Sequence, residues 1–75
     1  MKLFKIALVV LMIIPSALYS QMISSRIQEG NNYYKQQQYE KAIDAYERAL
    51  NLDPMNNTAK FNHANCLVKL GENVE

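Results

Sequence analysis

Small residues and tyrosines recur at fixed helical steps between Gly30 and Pro54, and this spacing constrains the chain more than any other feature. Tyr39, Ala42, Ile43, Tyr46, Ala49 and Leu50 follow one another at intervals of three and four, which predicts an amphipathic helix over 39–52. Glu40, Lys41, Asp44, Glu47, Arg48 and Asn51 fill its other face. Asp44 precedes Arg48 by four residues, a pairing worth roughly a few tenths of a kcal/mol on an exposed helix. Asp53-Pro54 stops the helix, because the residue before proline is pushed out of helical geometry.

The flanking segments carry the same period. Ile23, Ile27, Gly30 and Tyr34 lie on one stripe, widened by Tyr33, and predict a helix over 23–37 that Ser25 and Gln28 start as a capping box. Met55-Asn56-Asn57-Thr58 is a polar turn rich in N-cap residues. Ala59 to Leu70 predicts a third helix whose apolar surface is Phe61, Ala64, Cys66, Leu67 and Val68, with Gly71 as its C-cap. No strand pattern competes. The expected fold is all-α, and the short connections make consecutive helices antiparallel.

Residues 1–20 obey a different logic. Met1-Lys2-Leu3-Phe4-Lys5 is short and basic, Ile6 to Ile14 is unbroken apolar sequence, and Pro15-Ser16-Ala17-Leu18-Tyr19-Ser20 brings a helix breaker and small residues. That is the layout of a secretory signal peptide. The apolar run is well short of the ~20 residues that span a bilayer, so removal is expected over retention as an anchor. The expected cut follows Ser20, with Ala17 as the alternative, and no cysteine lies near it for lipid attachment. The domain expectation is thus a signal peptide at 1–20 and a folded region at 21–75.

Laid on the 34-residue helix-turn-helix repeat, the folded region resembles the tetratricopeptide repeat (TPR) family. Gly30 and Tyr33 stand at its G-x2-Y positions, Ala42 and Tyr46 at A-x3-F, Ala49 at the further small position and Pro54 at the closing proline. Residues 23–56 form a first repeat on this alignment. Shifted by 34, Ile27 maps to Phe61, Gly30 to Ala64, Asn31 to Asn65, Tyr33 to Leu67 and Lys35 to Lys69, so 57–75 begins a second repeat and covers only its first helix. Departures are Arg26 for tryptophan, Glu29 for leucine, Gln37 for the turn glycine and His63 for leucine. The phrase Ala59-Lys60-Phe61-Asn62-His63-Ala64-Asn65, behind a signal peptide, is also similar to TPR proteins of bacterial aerotolerance operons, which implies assembly of partners at the cell envelope.

The resemblance implies a protein-binding scaffold, exported to the periplasm or cell envelope by its signal peptide. The alternative is the N-terminal sensory segment of a larger membrane signalling protein of the sensor-kinase type. No paired carboxylates, triad or phosphate loop point to an enzyme, and no cofactor or metal is expected. Without Lys2 and Lys5, six basic residues face seven acidic ones, which leaves no basic footprint for nucleic acid. No small-molecule substrate is expected either. The single cysteine cannot form an internal disulfide, so the 21–75 region is either three very well packed helices or the front of a longer repeat protein.

His63 and Cys66 are three apart, but zinc needs two further ligands, and both read as packing residues. Tyr33, Tyr39 and Tyr46 fall on core positions of the repeat. The face that lines the groove in TPR arrays carries Ile27, Asn31, Tyr34 and Lys35 on the first helix and Phe61, Asn62, Asn65 and Lys69 on the third. Asparagine, lysine and aromatic side chains suit an extended peptide, whose backbone amides the asparagines can hydrogen-bond. Asn31 and Asn62 match two positions of the clamp that grips a C-terminal carboxylate in some TPR domains, but Ile27 stands where that clamp needs lysine, so carboxylate-tail binding is not expected.

Overall fold

The computed structural model describes residues 15–73, and the basic and apolar parts of the signal-peptide expectation, residues 1–14, lie outside them. Among the described residues three helices follow one another: α1 (Ser16–Lys35), α2 (Tyr39–Leu52) and α3 (Asn57–Asn73). Two contacts set the direction of the first pair. Tyr34 at the end of α1 meets Tyr39 at the start of α2, edge to face with ring centroids 5.3 Å apart, while Gly30, a turn earlier, lies against Tyr46. The partner number rises as the first falls, so α1 and α2 are antiparallel. Helix α2 packs against both of its neighbours, and α1 and α3 meet only along a short stretch.

Helix α1 begins earlier than the sequence indicates. Pro15 takes the N-cap position at φ −56° and ψ 135°, and its carbonyl accepts the Tyr19 N–H at 3.1 Å. Proline loses nothing at the start of a helix because the N–H it lacks would have no partner there. Ser25 and Gln28, expected as a capping box, are therefore mid-helix residues, and the expected cleavage positions lie within the first turns of α1. Residues 16–22 are all exposed, and packing on the rest of the fold begins at Ile23.

The end of α1 is a Schellman turn. Gln37 N–H donates to Tyr34 O at 3.0 Å and Gln38 N–H to Tyr33 O at 2.9 Å. This closure requires a left-handed residue, and Gln37 takes it at φ 61°, where glycine is the usual occupant. At the other end of α2, Asp53 is extended at φ −144° as its proline neighbour demands. Asn56 then caps α3, its Oδ1 accepting the Ala59 N–H at 2.9 Å. Helix α3 thus starts at Asn57 rather than Ala59. Gly71 does not terminate it: the helix runs to Asn73, and no glycine among the described residues has a positive φ.

Ala42, Tyr46 and Cys66 form the buried centre, with Ile27, Tyr33, Tyr34, Tyr39 and Ile43 packed around it. Ala45, Ala49 and Ala59 are also buried. Alanine and glycine dominate the contacts because helices that approach closely leave no room for branched side chains between their backbones. Cys66 is a core residue, as expected. His63 is not sealed in the seam: it reaches across its edge to Glu47, Nε2 to Oε1 at 3.3 Å.

Candidate functional site

The groove is built around one side chain that all three helices share. Asn31 on α1 receives two hydrogen bonds at its Oδ1, from the Tyr46 hydroxyl of α2 at 2.6 Å and from the Asn62 Nδ2 of α3 at 3.0 Å. The Asn31 amide is thus turned with its oxygen toward the hub, where it serves both donors. Tyr46 can come this close to α1 because Gly30 has no side chain. A Cβ on Gly30 would lie 2.7 Å from Tyr46 Cδ1, so the ring occupies the space that any other residue would fill.

Burial raises the Tyr46 pKa, and the neighbouring Cys66 raises it further. The Asn62 amide beside the hydroxyl works against them, and the pKa is pushed up to about 12. The Tyr46 hydroxyl therefore remains a donor across the physiological range. Burial likewise pushes the Cys66 thiol up, away from thiolate reactivity.

Over this hub lies an open groove of about 230 Å³ lined by Asn31, Tyr34, Lys35, Tyr46, Asn62 and Asn65. Five of the eight residues expected in the groove are brought together here. The other three are placed differently. Ile27 packs against the core, beneath the surface. Lys69 pairs with Glu72 at 3.5 Å, which holds its ammonium pKa up. Phe61 is 68% exposed, and with Leu67 and Val68 it forms a bare apolar strip on α3 outside the groove lining. Tyr46, read from the sequence as core alone, both fills the core and contributes to the groove floor. The signal for this was its hydroxyl where the repeat pattern has phenylalanine.

The charged surface elsewhere is conventional. Asp44 and Arg48 pair at 3.2 Å as their spacing predicts, Arg26 pairs with Glu29 at 3.2 Å, and Lys41 Nζ sits 5.9 Å from the Tyr33 ring centre. These exposed pairs contribute little to stability. Among the described residues no helix is long and apolar enough to cross a membrane.

An antiparallel helical hairpin, followed by a helix that repeats the first one's pattern 34 residues on and shares a polar groove with it, defines a helical-repeat module for protein interaction. The chain belongs to the TPR family: the family described as TPR repeat matches residues 30–71, more than half of the sequence. Over 43 residues it is 40% identical to RNA polymerase II-associated protein 3 of Xenopus tropicalis and 44% identical to the human small glutamine-rich tetratricopeptide repeat-containing protein beta. Each alignment covers 57% of this chain, but only 6% and 14% of those relatives' own lengths. No solved structure matches it significantly.

Proposed function

We propose that this chain is an exported scaffold that binds an extended peptide segment of a partner protein in the groove between α1 and α3. The observation that carries the reading is the lining itself: three asparagines, a lysine and two tyrosines in one open cleft. Amide side chains offer both a donor and an acceptor, which suits the alternating N–H and C=O groups of an extended backbone. Tyr34 offers apolar area at low conformational cost, and Lys35 adds one positive charge for an acidic side chain on the ligand.

Export rests on the sequence of residues 1–20. The exposure of residues 16–22 adds support, since removal after Ser20 or Ala17 takes away no residue that packs in the core. The similarity to aerotolerance-operon proteins fits a role in assembling partners at the cell envelope.

Two measurements test the two halves. N-terminal sequencing of the chain recovered from the cell envelope is expected to begin at Gln21, or at Leu18. Recovery of the intact Met1 chain from the cytoplasm alone overturns export. For the groove, the variant Lys35→Glu with Asn65→Ala is expected to lose a peptide selected from a random library against the wild-type chain. Unchanged affinity places binding on another surface.

A further inference from the structure

We propose that the Tyr46 hydroxyl is a positioning group for the groove: it locks the Asn31 amide so that Asn31 presents a donor, and Asn62 an acceptor, to one peptide group of the ligand. The inference rests on the peptide-groove reading above and adds the polarity with which that groove is read.

Asn31 has an acceptor oxygen and a donor nitrogen. Its Oδ1 is occupied from within, by Tyr46 at 2.6 Å and Asn62 Nδ2 at 3.0 Å. Asn31 Nδ2 and Asn62 Oδ1 have no hydrogen-bond partner among the described residues. Neither is sealed away from solvent, since no buried side-chain nitrogen or oxygen there lacks a partner. Both residues line the groove. The free pair is thus one N–H donor from α1 and one carbonyl acceptor from α3, the complement of a peptide C=O and N–H.

An unrestrained asparagine pair would swap donor and acceptor by rotating two amides. Here rotation of both amides would turn the Asn31 NH2 toward the Tyr46 hydroxyl, whose own O–H would then lose the acceptor it has at Asn31 Oδ1. The Tyr46 ring cannot move aside to relieve this, because it is buried between Gly30 and the core. A core tyrosine where the repeat pattern has phenylalanine therefore fixes the orientation of a surface asparagine.

Two substitutions in the full chain separate this role from simple stability. Asn31→Asp keeps an acceptor for Tyr46 and Asn62 but removes the outward donor. Tyr46→Phe keeps the ring and removes the lock. The probe is a peptide selected from a random library against the wild-type chain, together with analogues in which each backbone amide in turn is replaced by an ester. With wild type, one ester position is expected to weaken binding about fivefold to tenfold, the effect of losing one hydrogen bond. Asn31→Asp is expected to melt as a cooperative helical protein yet bind the parent peptide about tenfold more weakly. Tyr46→Phe is expected to flatten the difference between ester positions.

If both variants bind the parent peptide as wild type does, with the same ester profile, the positioning role is overturned while the groove reading stands. If the peptide is insensitive to Lys35→Glu with Asn65→Ala, or no peptide is selected at all, the groove reading fails and takes this inference with it. If one variant does not fold, the ester profile of the other still decides.

Discussion

Gly30 and Tyr46 are a matched pair: the ring of Tyr46 fills the space left by the missing side chain of Gly30, with its Cδ1 2.7 Å from where a Cβ would lie. This close approach gives helix α1 a reason to hold glycine in its interior, where glycine is otherwise unfavourable by roughly 1 kcal/mol relative to alanine. Gly30→Ala is expected to reverse the usual sign of that exchange. Overpacking against a buried ring costs about 1–3 kcal/mol, more than the helix propensity returns. Gly71 is the control, being also helical but with nothing within 4 Å of its would-be Cβ. Gly71→Ala is expected to raise the melting temperature where Gly30→Ala lowers it. A Gly30→Ala chain that melts higher than wild type would show that the ring can yield.

The same tyrosine makes stability depend on alkaline pH. Its pKa is raised from the ordinary 10.0 to about 12, principally by burial. Between those values the unfolded chain releases the Tyr46 proton and the folded chain holds it, so the unfolded state is favoured as pH rises. The contribution is fully present below pH 10 and is lost progressively toward pH 12, by about 2–3 kcal/mol at most. The comparison that isolates the effect is Tyr46→Phe, which removes this hydroxyl and keeps the ring. That variant is expected to start about 0.5–1.5 kcal/mol less stable at neutral pH, having lost its bond to Asn31. It should then show a shallower decline in urea midpoint from pH 9.5 to 11.5. Parallel declines for the two proteins would mean that the hydroxyl titrates normally in the fold.

Gln37 stands at the left-handed residue of the Schellman turn, φ 61°, with no glycine to ease it. A left-handed conformation costs a residue with a Cβ roughly 1–2 kcal/mol, and glycine's greater freedom in the unfolded chain returns part of the gain. Gln37→Gly is therefore expected to stabilise the chain by about 0.5–1 kcal/mol, read as a higher denaturant midpoint at unchanged slope. A destabilised variant would mean that the Gln37 side chain makes contacts that matter more than its backbone strain.

These positions also show what the sequence could and could not reveal. The second helix was legible to the residue, because its small and aromatic positions alternate cleanly with charge and Asp53-Pro54 marks its end. The strain at Gln37 was legible from the repeat pattern, which places glycine there. Both outer helix ends were not. Ser25 and Gln28 have the side chains of a capping box, but a cap forms only where the preceding backbone leaves the helix, and residues 16–24 have no reason to do so. Gly71 likewise offers a C-cap without compelling one, since glycine is tolerated within a helix where nothing crowds it. Within the groove, the residue types were readable and the hub was not. The bonds joining Asn31, Tyr46 and Asn62 span 15 and 31 residues of sequence, and only the crossing of three helices brings them together.

Phe61, Leu67 and Val68 are 68%, 53% and 58% exposed, and they occupy the positions that Ile27, Tyr33 and Tyr34 hold on α1, 34 residues earlier. On α1 those residues pack against the core formed with α2. On α3 the equivalent face meets water. Apolar side chains in solvent contribute little to folding but favour association, because burying them against any apolar surface releases about 25 cal/mol per Å². Replacing all three together, Phe61→Ser, Leu67→Gln and Val68→Thr, is expected to change the unfolding free energy by no more than about 0.5 kcal/mol for each position, as for exposed sites generally. The same triple substitution should lower the binding of a hydrophobic dye and shift sedimentation of the concentrated chain toward the monomer. A large loss of stability with no change in sedimentation would show that the strip is packed in solution rather than bare.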